Sequence, residues 1–86
     1  MTIDGREGAR RASAYLRYPY EEALESLREV PEIDGFYFGQ SGRGGGQVLI
    51  GRDGTVLFGV SALTIQDMIA RWNDGRRTDP AAFAIE

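Results

Sequence analysis

Histidine, cysteine and lysine are all absent from the 86 residues of this chain. Those three side chains supply most of the nucleophiles, general bases and soft metal ligands that enzymes use. All ten cationic side chains are arginines. Arginine stays charged at ordinary pH and binds carboxylates or phosphates, but it rarely transfers protons. We therefore expect a binding protein that is not an enzyme and that holds neither a metal nor a cofactor.

The lack of cysteine also leaves no disulfide to stabilise a small secreted scaffold, so nothing argues for an oxidising compartment. Residues 1–11 contain five charged side chains and no apolar run, unlike a signal peptide or a membrane anchor. The length fits one small domain. These features predict a cytoplasmic protein with a flexible tail over residues 1–11 and a single α+β domain over residues 12–86.

The charge of the chain is negative overall but unevenly placed. Its formal net charge of −3 argues against broad binding to nucleic acid or to an anionic membrane. Six carboxylates fall within residues 21–34, where Arg28 is the single cation, while arginines gather towards both ends of the chain. We expect a molecule with one acidic side and more basic margins.

Residues 19–30 have apolar side chains at helical spacing, with a proline at the start, glutamates in the first turn and Pro31 just beyond the end. This pattern predicts the first helix. Residues 12–18 fit either a short strand or an earlier helical turn, and we favour the strand.

The clearest helix begins after Thr64, where four apolar residues form a complete stripe: Ile65, Met68, Ile69 and Trp72. Thr64 and Asp67 resemble a capping box, and Gly75 suits the left-handed position at the end.

Three short runs between the helices, at residues 35–38, 47–50 and 55–60, are rich in aromatic and β-branched residues and are bounded by glycine, as strands are. They predict an antiparallel meander. Asp53-Gly54 predicts a two-residue hairpin turn. If Arg52 then pairs with Thr55, Leu49 lies opposite Phe58 on one face and Ile50 opposite Leu57 on the other. Both faces of the sheet are apolar, so each needs a cover.

The fold class that follows is α+β, with a three- or four-stranded antiparallel β-meander packed with two helices. The two helices can take one face each or share a face. If they share a face, the other apolar face needs a second subunit or a partner.

Two motifs have both a functional and a structural interpretation. The glycine-rich segment at residues 41–46 fits a hairpin connection best, and a partner-contacting loop centred on Arg43 is the next choice. A nucleotide site is disfavoured, because the P-loop lysine is missing and a strand follows the glycines. The aromatic run at residues 36–38 resembles a base-stacking platform. Strand alternation sends Tyr37 to the face opposite Phe36 and Phe38, which favours a core role.

An acidic stripe is the most suggestive surface feature. Glu22, Glu25 and Glu29 share one side of the first predicted helix. Such a stripe is either a solvated face or a phosphate-mimicking surface that occupies the basic cleft of a nucleic-acid-processing enzyme.

The second half of the chain carries a resemblance to a known group of families. Segments 46–50 (GQVLI), 53–58 (DGTVLF) and 70–78 (ARWNDGRRT) resemble the C-terminal half of small immunity proteins from bacterial polymorphic-toxin systems. Those families have a sheet of short strands, then a helix that ends in a glycine and a basic residue before an extended tail. The resemblance covers roughly residues 46–86, and Phe83 stands where a tryptophan often closes the tail. It implies a cytoplasmic antidote that binds and blocks a cognate toxin.

The leading hypothesis is a non-catalytic, immunity-type inhibitor that occludes a bacterial toxin or another enzyme. Its candidate partner-binding residues are Glu22, Glu25, Glu29, Arg43, Arg52, Arg76 and Arg77. The alternative is a homo-oligomeric structural or accessory module, such as a homodimer, that buries a spare sheet face on itself. A small enzyme or a nucleic-acid-binding domain is disfavoured by the missing side chains and the acidic balance, and we expect no membrane partner.

Overall fold

A computed structural model describes residues 2–39, 46–60 and 62–79 and has the predicted α+β fold. Its helices are α1 (Gly5–Leu16), α2 (Tyr20–Ser26) and α3 (Ile65–Asn73). Its strands are β1 (Arg28–Val30), β2 (Gly35–Gly39), β3 (Gly46–Gly51) and β4 (Val56–Val60), and a 3-10 turn at Pro31–Ile33 joins β1 to β2. The strands form one antiparallel sheet in the order β1-β2-β3-β4, which confirms the meander. The described residues contain three α-helices, one more than the sequence predicts.

The additional helix is α1, and it corrects two predictions. Asp4 caps it by accepting a hydrogen bond from the Glu7 N–H at 2.9 Å. Its buried positions follow helical spacing but mostly carry small side chains: Gly8, Ala9, Ala12 and Leu16. The predicted tail is therefore wrong for residues 5–11, and the predicted strand at residues 12–18 is wrong, because this helix buries a face that contains little hydrophobic bulk.

Small residues on α1 allow the helix to lie close to the sheet. A Cβ on Gly8 would stand only 3.2 Å from the ring of Phe38, so the helix backbone nearly touches the aromatic side chains of β2. Ala9 and Ala12 are fully buried in the same cluster. Because of this close approach, a short helix with small side chains covers part of one face of the sheet.

The helix predicted over residues 19–30 is too long. α2 ends at Ser26, and Leu27 turns the chain into an extended conformation. β1 then pairs with β2, with Arg28 opposite Tyr37 and Val30 opposite Gly35. The strand prevails because it gives the β2 backbone a hydrogen-bonding partner and buries Val30, a β-branched residue, on the α3 side of the sheet.

The hairpin between β3 and β4 has a three-residue loop, not the two-residue turn that the sequence predicts. Leu49 pairs with Leu57 and Ile50 with Val56. The Gly51 N–H donates to the Thr55 carbonyl oxygen at 2.9 Å, and Gly54 takes a φ of 89° inside the loop. A loop of this length commonly ends in a left-handed residue, which glycine adopts without steric cost. The extra residue shifts the register by one, so the predicted cross-strand pairs are wrong.

Helices cover both faces of the sheet. α1 and α2 pack on the face that contains Phe36, Phe38 and Ile50, while α3 packs on the face that contains Leu49 and Leu57. The larger cluster consists of Ala9, Ala12, Leu16, Tyr18, Ala23, Phe36, Phe38, Val48, Ile50 and Val56. The expectation that each apolar face has a cover is confirmed.

The sequence predicted α3 almost completely. Thr64 and Asp67 form a capping box, with each side chain accepting a hydrogen bond from the other residue's N–H at 3.1 Å. Met68 and Trp72 are buried against the sheet, and Gly75 follows the helix with a φ of 91°. Arg77 lies against this helix end, with its guanidinium 3.5 Å from the centre of the Trp72 ring.

Candidate functional site

An acidic depression lies between α2 and the end of β2. Its volume is about 380 Å³, and it is lined by Tyr18, Glu22, Glu25, Ser26 and Gly39. Glu22 and Glu25 are exposed and sit three positions apart on α2, so they share one side of the helix. Among the described lining residues these two carboxylates carry the only charges.

Two hydroxyl groups form the neutral part of the acidic depression. The Ser26 hydroxyl donates to the Ala23 carbonyl oxygen at 3.2 Å, which leaves its oxygen to accept from the Tyr18 hydroxyl at 3.3 Å. Burial raises the pKa of Tyr18 above its usual value, with the Ser26 hydrogen bond acting in the opposite direction. Tyr18 therefore stays a neutral phenol at physiological pH, and the negative charge here comes from the glutamates alone.

The chemistry of the acidic depression is that of a cation receptor. Carboxylates accept strong, charge-assisted hydrogen bonds from guanidinium and ammonium groups. The chain contains no histidine or lysine that could activate the Tyr18 or Ser26 hydroxyl. The arrangement suits the docking of an arginine or lysine side chain.

The structure separates Glu29 from Glu22 and Glu25. Glu29 lies on β1 opposite Phe36, where it lines a different, smaller depression together with Asp34 and Arg52. The prediction that the three glutamates share one side of a helix is wrong, because α2 ends before Glu29.

The predicted arginines are spread over the molecule and engaged by their own chain. Arg52 pairs with Asp34 at 3.2 Å, and its guanidinium lies 4.8 Å from the centre of the Phe36 ring. Arg77 donates to the Trp72 carbonyl oxygen at 2.8 Å, and Arg76 pairs with Asp74 at 3.6 Å. Arg43 lies outside the described residues. That these arginines contact a partner stays a prediction.

A second surface, which sequence reasoning missed, is an arginine groove of about 680 Å³. It is lined by Thr2, Ile3, Asp4, Arg6, Glu7, Arg10, Arg11 and Arg52. All of these residues except Arg52 fall in the predicted tail, so the sequence alone does not place them beside the β3–β4 turn. The helical spacing of Arg6 and Arg10 was the available signal.

The aromatic run at residues 36–38 is part of the fold and not a stacking platform. Phe36 and Phe38 are buried on one face, while Tyr37 lies on the other, as strand alternation predicts. The Tyr37 hydroxyl donates to the Gln47 side-chain oxygen at 2.7 Å, and the Gln47 amide donates to the Leu63 carbonyl oxygen at 2.7 Å. Gln47 is a buried structural link between β2 and the segment before α3, and no sequence pattern predicts it.

No family model, curated protein or solved structure matches this chain. The acidic depression and the arginine groove are therefore the features that bear on its function.

The described parts of the chain place no three or more acidic side chains where they would hold a metal ion together. Within the same ranges no helix has the length and apolar character needed to cross a membrane. The acidic depression and the arginine groove, both charged and both open, are thus the surfaces that carry the functional argument.

Proposed function

We propose that this protein is a non-catalytic inhibitor that binds a partner enzyme through the acidic depression. The observation that carries the proposal is that Glu22 and Glu25 line one depression together, with the neutral hydroxyls of Tyr18 and Ser26. A basic side chain of the partner enters the depression and exchanges its water for two carboxylates.

The partner that fits best is an enzyme with a basic cleft, such as one that acts on nucleic acid. Carboxylates in fixed positions imitate the phosphates that such a cleft binds, and complementary charge accelerates association. In its most concrete form, the protein is a cytoplasmic, immunity-type antidote that covers the cleft of a bacterial toxin. The resemblance of residues 46–86 to immunity proteins supports this form, as does the acidic depression.

The structure does not favour the alternative of a homo-oligomeric module. That hypothesis required the helices to share one face of the sheet and leave the other bare. α1 and α2 pack on one face and α3 on the other. In the described residues, each face of the sheet is therefore packed by at least one helix.

Reversing both charges of the acidic depression tests the proposal. The tagged wild-type chain is purified gently from its native cells, its co-purifying enzyme is identified by mass spectrometry, and inhibition and association rate are measured at low and high salt. We expect Glu22→Arg/Glu25→Arg to slow association at low salt by about tenfold or more, because complementary charge mainly sets the on-rate. High salt should shrink the difference, since it screens exposed charges.

The matched control is Glu21→Arg/Glu32→Arg, which changes the net charge equally at exposed positions outside the described lining of the depression. We expect it to retain most of the wild-type association rate. If both double variants lose the same amount, only overall charge matters and the depression is not the binding site. A partner that the wild type binds without inhibiting would exclude the inhibitor function.

A further inference from the structure

We propose that the arginine groove binds an acidic segment of a partner protein, an extended peptide whose carboxylates meet its guanidinium groups. Four of the described lining residues are arginines and two are acids, so the groove is locally positive in a chain whose net charge is −3. The groove is distinct from the acidic depression, and the inference does not depend on the proposed function.

Two elements that are distant in sequence build the groove. The Ile3 N–H donates to the Arg52 carbonyl oxygen at 2.8 Å, which ties the segment before α1 to the β3–β4 turn. A Cβ on Gly54 would lie 3.2 Å from the guanidinium of Arg11, so that side chain reaches over the same turn. Arg10 is positioned by Tyr20, with its guanidinium 5.7 Å from the ring centre.

The arginines keep donors available for a ligand. Glu7 is the shared partner of Arg10 at 3.4 Å and Arg11 at 3.1 Å, so one carboxylate serves two guanidinium groups that have five N–H donors each. Arg52 pairs with Asp34, whose side chain is 84% exposed. Ion pairs this open to water are weak, and a ligand carboxylate replaces or joins them at little cost.

The composition of the groove favours a peptide over a nucleic acid. Asp4 and Glu7 stand among the arginines and repel a continuous row of phosphates, whereas carboxylates spaced along a peptide can avoid them. Ile3 is only partly buried and offers an apolar contact that a peptide side chain can use. The planar fork of arginine matches a carboxylate with two parallel hydrogen bonds.

The test uses a fluorescent peptide of repeating Glu-Glu-Leu units and measures its anisotropy against the full chain at low salt. We expect salt-sensitive binding that Arg6→Gln/Arg11→Gln weakens about fivefold to tenfold, since two exposed charge contacts are lost. Glutamine keeps the helix propensity of α1, and circular dichroism verifies that the variant remains folded.

The matched control is Arg28→Gln/Arg71→Gln, which removes two exposed arginines outside the described lining of the groove. We expect it to bind the peptide within about twofold of wild type. Absence of wild-type binding, equal loss in both double variants, or tighter binding of a labelled single-stranded DNA would each overturn the proposal. Because Glu22→Arg/Glu25→Arg leaves the groove intact, it should retain peptide binding whether or not the inhibitor function holds.

Discussion

At the scale of single residues, Asp53 shows how one side chain sets the geometry of a loop. Its Oδ1 accepts hydrogen bonds from the Thr55 N–H at 3.0 Å and from the Thr55 hydroxyl at 2.7 Å. These bonds favour the ionised carboxylate and hold the pKa of Asp53 below its ordinary value of 3.8. The loop that they stabilise fixes which side chains of β4 face α1 and α2.

We predict that Asp53→Ala lowers the free energy of unfolding by about 0.5–1 kcal/mol at neutral pH, the lower part of the range for hydrogen bonds because the turn is exposed. The carboxylate is protonated more readily in the unfolded chain. Its stabilising effect is therefore complete above the unfolded pKa, near 4, and is lost as the pH falls through the lower folded pKa.

Urea denaturation of wild type and Asp53→Ala, followed from neutral pH to about pH 2.5, measures this difference. The two stabilities should converge at the acidic end. Glu32→Ala, which removes an exposed carboxylate from the Pro31–Ile33 turn, serves as the control. A gap between wild type and Asp53→Ala that widens in acid would contradict the assignment.

At the scale of elements, the helices differ in how clearly the sequence predicts them. Large side chains mark α3, because Ile65, Met68 and Trp72 repeat at helical spacing between clear start and stop signals. α1 buries mainly glycine and alanine, which give no such contrast with their neighbours. Its helical state depends on contact with the aromatic residues of β2, which local sequence does not reveal.

The same distinction applies to the candidate site. The pairing of Glu22 and Glu25 followed from their spacing alone, since both lie on α2. The separate location of Glu29 could not be predicted from spacing, because β1 forms only by pairing with β2. The arginine groove depends on the docking of α1 beside the β3–β4 turn. Helical spacing predicts that the arginines of α1 share a side of the helix, but it does not predict this tertiary contact.

We predict that Ala12→Asp lowers the free energy of unfolding by about 3 kcal/mol or more, because it places a charge in the fully buried layer between α1 and the sheet. That loss is a large share of the total stability of a small domain. Thermal and urea unfolding followed by circular dichroism measure it.

Ala14→Asp is the control on the same helix, since Ala14 is exposed. It should cost no more than about 1 kcal/mol, the scale of helix propensity. Equal and small losses in the two variants would mean that residues 5–16 do not pack on the sheet.

At the scale of the whole molecule, the fold separates two surfaces of opposite charge, the acidic depression and the arginine groove. The acidic depression borders Gly39, at one end of β2, whereas the arginine groove includes Arg52, which follows Gly51 and so lies near Gly35 at the other end. Between them the sheet is covered on both faces. The molecule thus carries an acidic surface and a basic surface near opposite ends of β2.

We predict that the protein is a monomer in solution at micromolar concentration, because the sheet has helices on both faces. Sedimentation equilibrium should return the chain mass of 9.5 kDa, and small-angle X-ray scattering a radius of gyration close to the 11.6 Å of the Cα atoms. A dimer whose mass does not change on dilution would instead restore the homo-oligomeric module.

The position of α1 in the chain has a consequence for how the protein is made. α1 leaves the ribosome before β2 and β3, the strands on which this helix packs. A helix of 12 residues is marginal in water by itself. Until Gly46–Gly51 emerges, Ala9 and Ala12 lack the sheet that they contact in the folded protein, so α1 cannot yet acquire its native stability. Slower elongation over this interval would lengthen the time for which α1 stays exposed.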